Sequence, residues 1–179
     1  MTGLFDSNIF LWDTLLWAIA VVPVLVYFYR KEPGLCGNRL PDRRYMFCLF
    51  VIGMICSVGF RLVFDMLGIG SYEEETSALF EGDLWLQCLV LLIASPLWEE
   101  LFFRGFLFVR LKKWVSLYGA VIFSAVCFGI YHGNLSQGIY AFFMGILLAA
   151  AMEKYKTVTA PVVIHVGANA ASLLLELVK

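Results

Sequence analysis

The sequence predicts an all-α fold: a polytopic membrane helical bundle of about six transmembrane helices, forming one domain over residues 1–179. Three observations carry that prediction. Hydrophobic residues make up 61% of the chain and charged residues only 15%, where a soluble domain has about half and about a quarter. The apolar residues come in blocks of about 20, the length that crosses roughly 30 Å of hydrocarbon at about 1.5 Å per residue. Lys and Arg, finally, crowd into alternate loops, as the positive-inside rule requires. The net charge of -1 gives no reason to expect a nucleic-acid partner; the expected surroundings are a lipid bilayer.

The first span covers about residues 9–29. It is too long and too poor in basic flanks for a cleavable signal peptide, and no Ala-x-Ala site follows it. The second, about 45–69, holds Arg61 and Asp65 four residues apart, so that they can pair on one helix face. The third starts near Leu84 and extends toward Arg110, with Gln87 and Ser95 as candidates for interhelical hydrogen bonds. The fourth, fifth and sixth spans cover about 116–132, 138–152 and 158–177. No internal repeat or low-complexity segment interrupts them, and the short loops leave no room for a second domain.

Orientation follows from the loops. Arg30, Lys31, Arg39, Arg43 and Arg44 follow the first span, Arg110, Lys112 and Lys113 the third, and Lys154 and Lys156 the fifth. The alternate loops carry none: Glu73, Glu74, Glu75, Glu81 and Asp83 make one acidic, and 133–137 is uncharged. Both termini are therefore expected outside the cytoplasm of a multi-pass protein of the bacterial plasma membrane. The acidic loop reads as a solvated segment, with attraction of a basic substrate segment as the alternative. Four of the five cysteines (Cys36, Cys48, Cys56, Cys88, Cys127) fall inside spans without paired spacing, so they read as packing residues rather than disulfides or metal ligands.

Against this background the adjacent Glu99 and Glu100 stand out, because a carboxylate in the middle of a membrane helix costs roughly 3 kcal/mol on insertion scales. Such residues mark functional sites and need partners. Glu100 and Arg104 are four apart and can meet on one face, while Glu99 lies about 100° round the helix and can point elsewhere. One glutamate can thus neutralise Arg104 while the other faces a cavity. His165 and Asn169 repeat the four-residue spacing on the sixth span, and both can donate hydrogen bonds to a developing oxyanion. His132 closes the fourth span one turn after Phe128 and can orient a water held by a glutamate. Both histidines of the protein, the double glutamate and the asparagine all lie in apolar spans, a joint pattern that chance packing explains poorly. Counting depth from the helix ends puts Glu99 near mid-membrane, His165 in the inner half and His132 toward the outer interface. They meet only if the fourth span breaks or extends near Gly133, or if the helices are staggered.

Glu99-Glu100-x-x-x-Arg104, Phe128-x-x-x-His132 and His165-x-x-x-Asn169 together resemble the three-motif signature of the CAAX protease and bacteriocin-processing family, intramembrane proteases related to the CAAX prenyl endopeptidase. The resemblance covers a family-like catalytic core of about 84–179 and leaves the first two spans uncovered. It implies a glutamate-type intramembrane endopeptidase. Glu99 would activate water with help from His132, His165 and Asn169 would form the oxyanion hole, and Glu100 with Arg104 would be the supporting ion pair. The implied partner is a membrane-associated peptide or protein substrate: a prenylated C-terminal peptide, a leader or sorting peptide, a bacteriocin-related peptide or another membrane protein.

A glutamate with two histidines is also a zinc ligand set in type. The chain lacks His-Glu-x-x-His, and an Asn one turn after His165 suits an oxyanion hole better, so a mechanism without cofactor is preferred over a zinc-dependent one. Two further readings stay open, a non-catalytic immunity or scaffolding protein with the same fold and a transporter or proton relay. The last would call for paired repeats or matching broken helices, and Pro96 is only a single break.

Overall fold

In the structure, a computed structural model describing residues 3–32, 42–68 and 82–178, six helices form one bundle, with no strand among the described residues. They are α1 (Gly3–Arg30), α2 (Arg43–Leu67), α3 (Leu84–Leu111), α4 (Leu117–Tyr131), α5 (Leu135–Tyr155) and α6 (Thr159–Leu177). All but α4 are long and apolar enough to cross a membrane. The fourth helix matches the expected 116–132, with Ser116 and His132 as its caps, and its 15 residues reach about 22 Å. Its ends are set locally, by the Ser116 hydroxyl accepting from the Gly119 N–H and by a reversal through Gly133 at φ 76°. Asn134 then caps α5, its Oδ1 accepting from the Gln137 N–H at 2.7 Å, so α5 begins three residues before the expected boundary. The second span stops at Leu67, where Gly68 (φ 62°) terminates the helix in a left-handed turn. Arg39, Cys36 and the acidic residues Glu73, Glu74, Glu75 and Glu81 lie outside the described residues.

Burial separates the helices by role. In α3, 61% of the residues of its most apolar window are buried, against 22% in α1 and in α2, so α3 is the central helix, with α1 packed on it and α2 packed on α6. Two apolar clusters hold it in place. Phe103 packs with Leu49, Phe128, Met144, Leu148 and Ile164; Leu101 and Phe108 pack with Leu25, Ala149 and Met152. The α2–α6 crossing is close enough to require glycine on both sides. A Cβ on Gly53 would lie 1.9 Å from the Ile164 carbonyl oxygen, and one on Gly167 would lie 2.1 Å from that of Phe50. Small residues of this kind let membrane helices approach where no hydrophobic drive presses them together.

Polar contacts gather the loops. Glu32, after α1, pairs with Arg110 at 3.6 Å and with Lys113, both at the end of α3. Glu153 pairs with Lys112 and Lys156, and the Tyr29 hydroxyl accepts from the Val158 N–H at 3.1 Å. The three loops that carry basic residues therefore share one end of the bundle. At the other end Asn8 accepts from the Asp83 N–H at 3.0 Å, and Trp12 meets Trp85 edge-on.

Candidate active site

Helix α3 is not a regular α-helix. Val90–Ala94 and Leu101–Phe108 are π-helical, and the α-helical turn between them, Ser95–Glu100, carries both glutamates. The first π turn has a visible cause. Pro96 lacks an N–H and its ring crowds the carbonyl four residues before it, so the α register cannot run through it. Single π turns of this kind occur often at functional sites.

The glutamates are buried, Glu99 being 5% and Glu100 0% exposed. Glu100 Oε1 accepts from Arg104 Nη1 at 3.1 Å, the four-residue pairing that the spacing predicts. The same oxygen lies 2.8 Å from His165 Nδ1, so the imidazole of α6 enters the pair. Since an ionised carboxylate only accepts, Nδ1 is the donor. His165 Nε2 lies 3.8 Å from Glu99 Oε2, close enough for one small oxygen species to touch both. Glu99 Oε1 accepts from the Ser95 hydroxyl at 2.5 Å, while Glu99 Oε2 and Glu100 Oε2 make no hydrogen bond among the described residues.

Arg104 is held from three sides. Besides Glu100, it donates from Nη2 to the Gly145 carbonyl of α5 at 3.3 Å and lies over the Phe128 ring of α4 at 4.2 Å. A side chain at 145 would press on Ala125 Cα at 3.0 Å and on Arg104 Nη2 at 3.3 Å. Four helices thus meet around one ion cluster.

The two remaining motif residues sit at its edge. His132 caps α4, and its Nδ1 lies 2.7 Å from the Phe128 carbonyl oxygen. A carbonyl cannot donate, so that nitrogen carries the proton and Nε2 of a neutral ring is an acceptor. The Phe128 ring contacts both imidazoles edge-on, at 4.7 Å from His132 and 5.8 Å from His165. No hydrogen bond among the described residues joins His132 to either glutamate. Asn169 donates from Nδ2 to the Leu91 carbonyl of α3 at 2.8 Å.

One sequence expectation changes. Ser95 bonds within its own helix to Glu99 and not across helices, a four-residue spacing that was available in the sequence. Gln87 donates to the Gly82 carbonyl just before α3, at 2.6 Å. The sequence reading also missed an aromatic wall. Trp98 meets Tyr131 at 5.3 Å, Phe103 meets Phe128 at 5.0 Å, and Tyr131 meets His132 at 5.5 Å. Rings at 98 and 131 flank a motif residue directly, the one signal that could have found them. Among the described residues, no group of three or more His, Cys, Asp and Glu side chains is disposed to hold a metal ion.

Comparisons with known proteins bear on the family. Residues 81–171, just over half the chain, match the family model for type II CAAX prenyl endopeptidase Rce1-like proteins. The chain is 27% identical over 135 residues to a Bacillus subtilis (strain 168) protein named "Putative membrane peptidase YdiL", covering 74% of this chain and 54% of that one. It is 24% identical over 157 residues to the UPF0177 protein YbdI of Lactococcus lactis subsp. lactis (strain IL1403), covering 86% of this chain and 84% of that one. The chain thus spans about half the length of the first of these relatives. No solved structure matches it.

Proposed function

The chain belongs to the family of type II CAAX prenyl endopeptidase Rce1-like proteins, and from that premise we propose that it is an intramembrane endopeptidase in which Glu99 activates the attacking water. The observation that carries the reading is the asymmetry of the glutamates. Each glutamate leaves its Oε2 without a hydrogen bond among the described residues, but Glu100 Oε1 is held by both Arg104 and His165. Glu99 Oε1, in contrast, is held by the Ser95 hydroxyl, and its Oε2 faces His165 Nε2 at 3.8 Å.

In the proposed reaction Glu99 takes a proton from a water that attacks the scissile carbonyl. A C–O bond forms, the carbonyl oxygen becomes an oxyanion, and the C–N bond then breaks as the proton passes from Glu99 to the leaving nitrogen. His165 and Asn169 stabilise the oxyanion, and His132 orients the water through Nε2. His165 can donate from Nε2 while Nδ1 donates to Glu100 only as an imidazolium. That state also balances the buried charge, two carboxylates against a guanidinium and an imidazolium, which a dry site demands. Preorganised donors in such a site contribute about 3–4 kcal/mol each.

The reaction is proposed without a metal, because His165 Nδ1 and Glu100 Oε1, two atoms that could ligate one, are engaged with each other and with Arg104. The substrate class is a peptide bond of a membrane-associated peptide or protein, cleaved in a bacterial plasma membrane with both termini of the chain outside the cytoplasm. The test is to express Glu99→Gln and His165→Ala at wild-type level and follow cleavage. Both lose it if the reading is right. An activity in cells that survives both substitutions would instead identify a non-catalytic immunity or scaffolding protein.

A further inference from the structure

Asn169 is bound to the main chain of α3 beside Pro96, where the helix lacks an amide donor. In the π turn the Ser95 N–H donates to the Val90 carbonyl, five residues back. Continued by one residue, that register would aim the amide of residue 96 at the Leu91 carbonyl. Residue 96 is proline and has no amide hydrogen, and Ser95, which would serve Leu91 in an α-helix, is already used. The Leu91 carbonyl is therefore left over by its own helix. Leu91 is buried, and a buried carbonyl without a partner is costly. Asn169 Nδ2 supplies the donor at 2.8 Å.

We propose that Asn169 is a positioning residue: by donating to the Leu91 carbonyl that Pro96 leaves over, it fixes the register of α6 against α3 and so sets His165 against Glu99 and Glu100. Asn169 and His165 lie one turn apart on α6, and Leu91 lies two turns before Glu99 on α3. One bond between the two helices thus fixes both the axial and the rotational setting of the imidazole. It also leaves the second N–H of the same nitrogen for a substrate carbonyl. The bond itself is independent of the peptidase reading; its catalytic meaning rests on that reading.

The experiment uses the full chain in detergent micelles and needs no substrate, so its failure is distinct from a failure of the peptidase reading. The protein has two histidines, so 15N-histidine labelling resolves the imidazole of His165 once His132→Gln has assigned the other. Asn169→Ala is expected to shift the His165 nitrogens, leave those of His132 in place, and lower the thermal midpoint by about 3–10 °C. Pro96→Ala restores an amide at the position that serves Leu91. In that background Asn169→Ala is expected to lower the midpoint by less than about a third as much. His165 signals unmoved by Asn169→Ala would overturn the proposal. So would an equal loss of midpoint in both backgrounds.

Discussion

Removing Arg104 isolates the energetics of the buried cluster. The guanidinium and its partner Glu100 are both fully buried, 3.1 Å apart, and Arg104 also serves the Gly145 carbonyl and lies over the Phe128 ring. Arg104→Ala leaves a carboxylate in a dry bundle with only His165 beside it, and leaves the Gly145 carbonyl without this donor. Breaking a buried pair by removing one member costs about 3–5 kcal/mol. For a chain of this length about 1 kcal/mol moves the midpoint by roughly 2–4 °C, so the variant should melt about 6–20 °C below wild type. Glu100→Gln with Arg104→Met removes both charges at similar volume and keeps an acceptor for His165. Because a buried ion pair loses in desolvation nearly what it gains in attraction, the double variant should recover most of that loss. Thermal denaturation of the purified protein in detergent, followed by circular dichroism, reads both. An Arg104→Ala midpoint within about 2 °C of wild type, or a double variant as unstable as the single one, would refute the reasoning.

Gly53→Leu must push the α2–α6 crossing apart, since even a Cβ would lie 1.9 Å from the Ile164 carbonyl oxygen. A loss beyond the about 1–3 kcal/mol typical of overpacking is expected, read as aggregation or an early midpoint on size exclusion and melting. Incubation with a strong chelator such as 1,10-phenanthroline should leave cleavage at its untreated rate, whereas loss restored by added zinc would establish a metal enzyme. In a variant freed of its native cysteines, single cysteines at Lys113 and Lys156 should react with an impermeant thiol reagent only from the cytoplasmic side. Cysteines at Asn134 and Asp83 should react only from the other.

How much of this was legible in the sequence depended on which forces acted. A bilayer demands long apolar runs, so the helices of 18 residues or more could be read directly, and the cost of charge in lipid made Glu99, Glu100 and Arg104 conspicuous. The start of the fifth helix was read three residues late because it is set by Asn134, local turn chemistry that hydropathy does not register. The π turns were invisible because π and α segments have the same composition; only Pro96 hinted at the first. Spacing predicted that Glu100 could meet Arg104. It could not place His165 on the same carboxylate oxygen or Asn169 on Leu91, because those contacts depend on how α6 lies against α3. Phe128 was noted only as the residue one turn before His132, yet its ring touches Arg104 and both imidazoles.

The central claim is that Glu99 is the base of a membrane peptidase, and the most direct test is to identify protein N-termini in membranes of isogenic cells expressing wild-type protein or Glu99→Gln at equal levels. The account predicts a set of new N-termini in or beside membrane segments that appears with the wild type and is absent with Glu99→Gln. Identical sets of N-termini from the two proteins would contradict it.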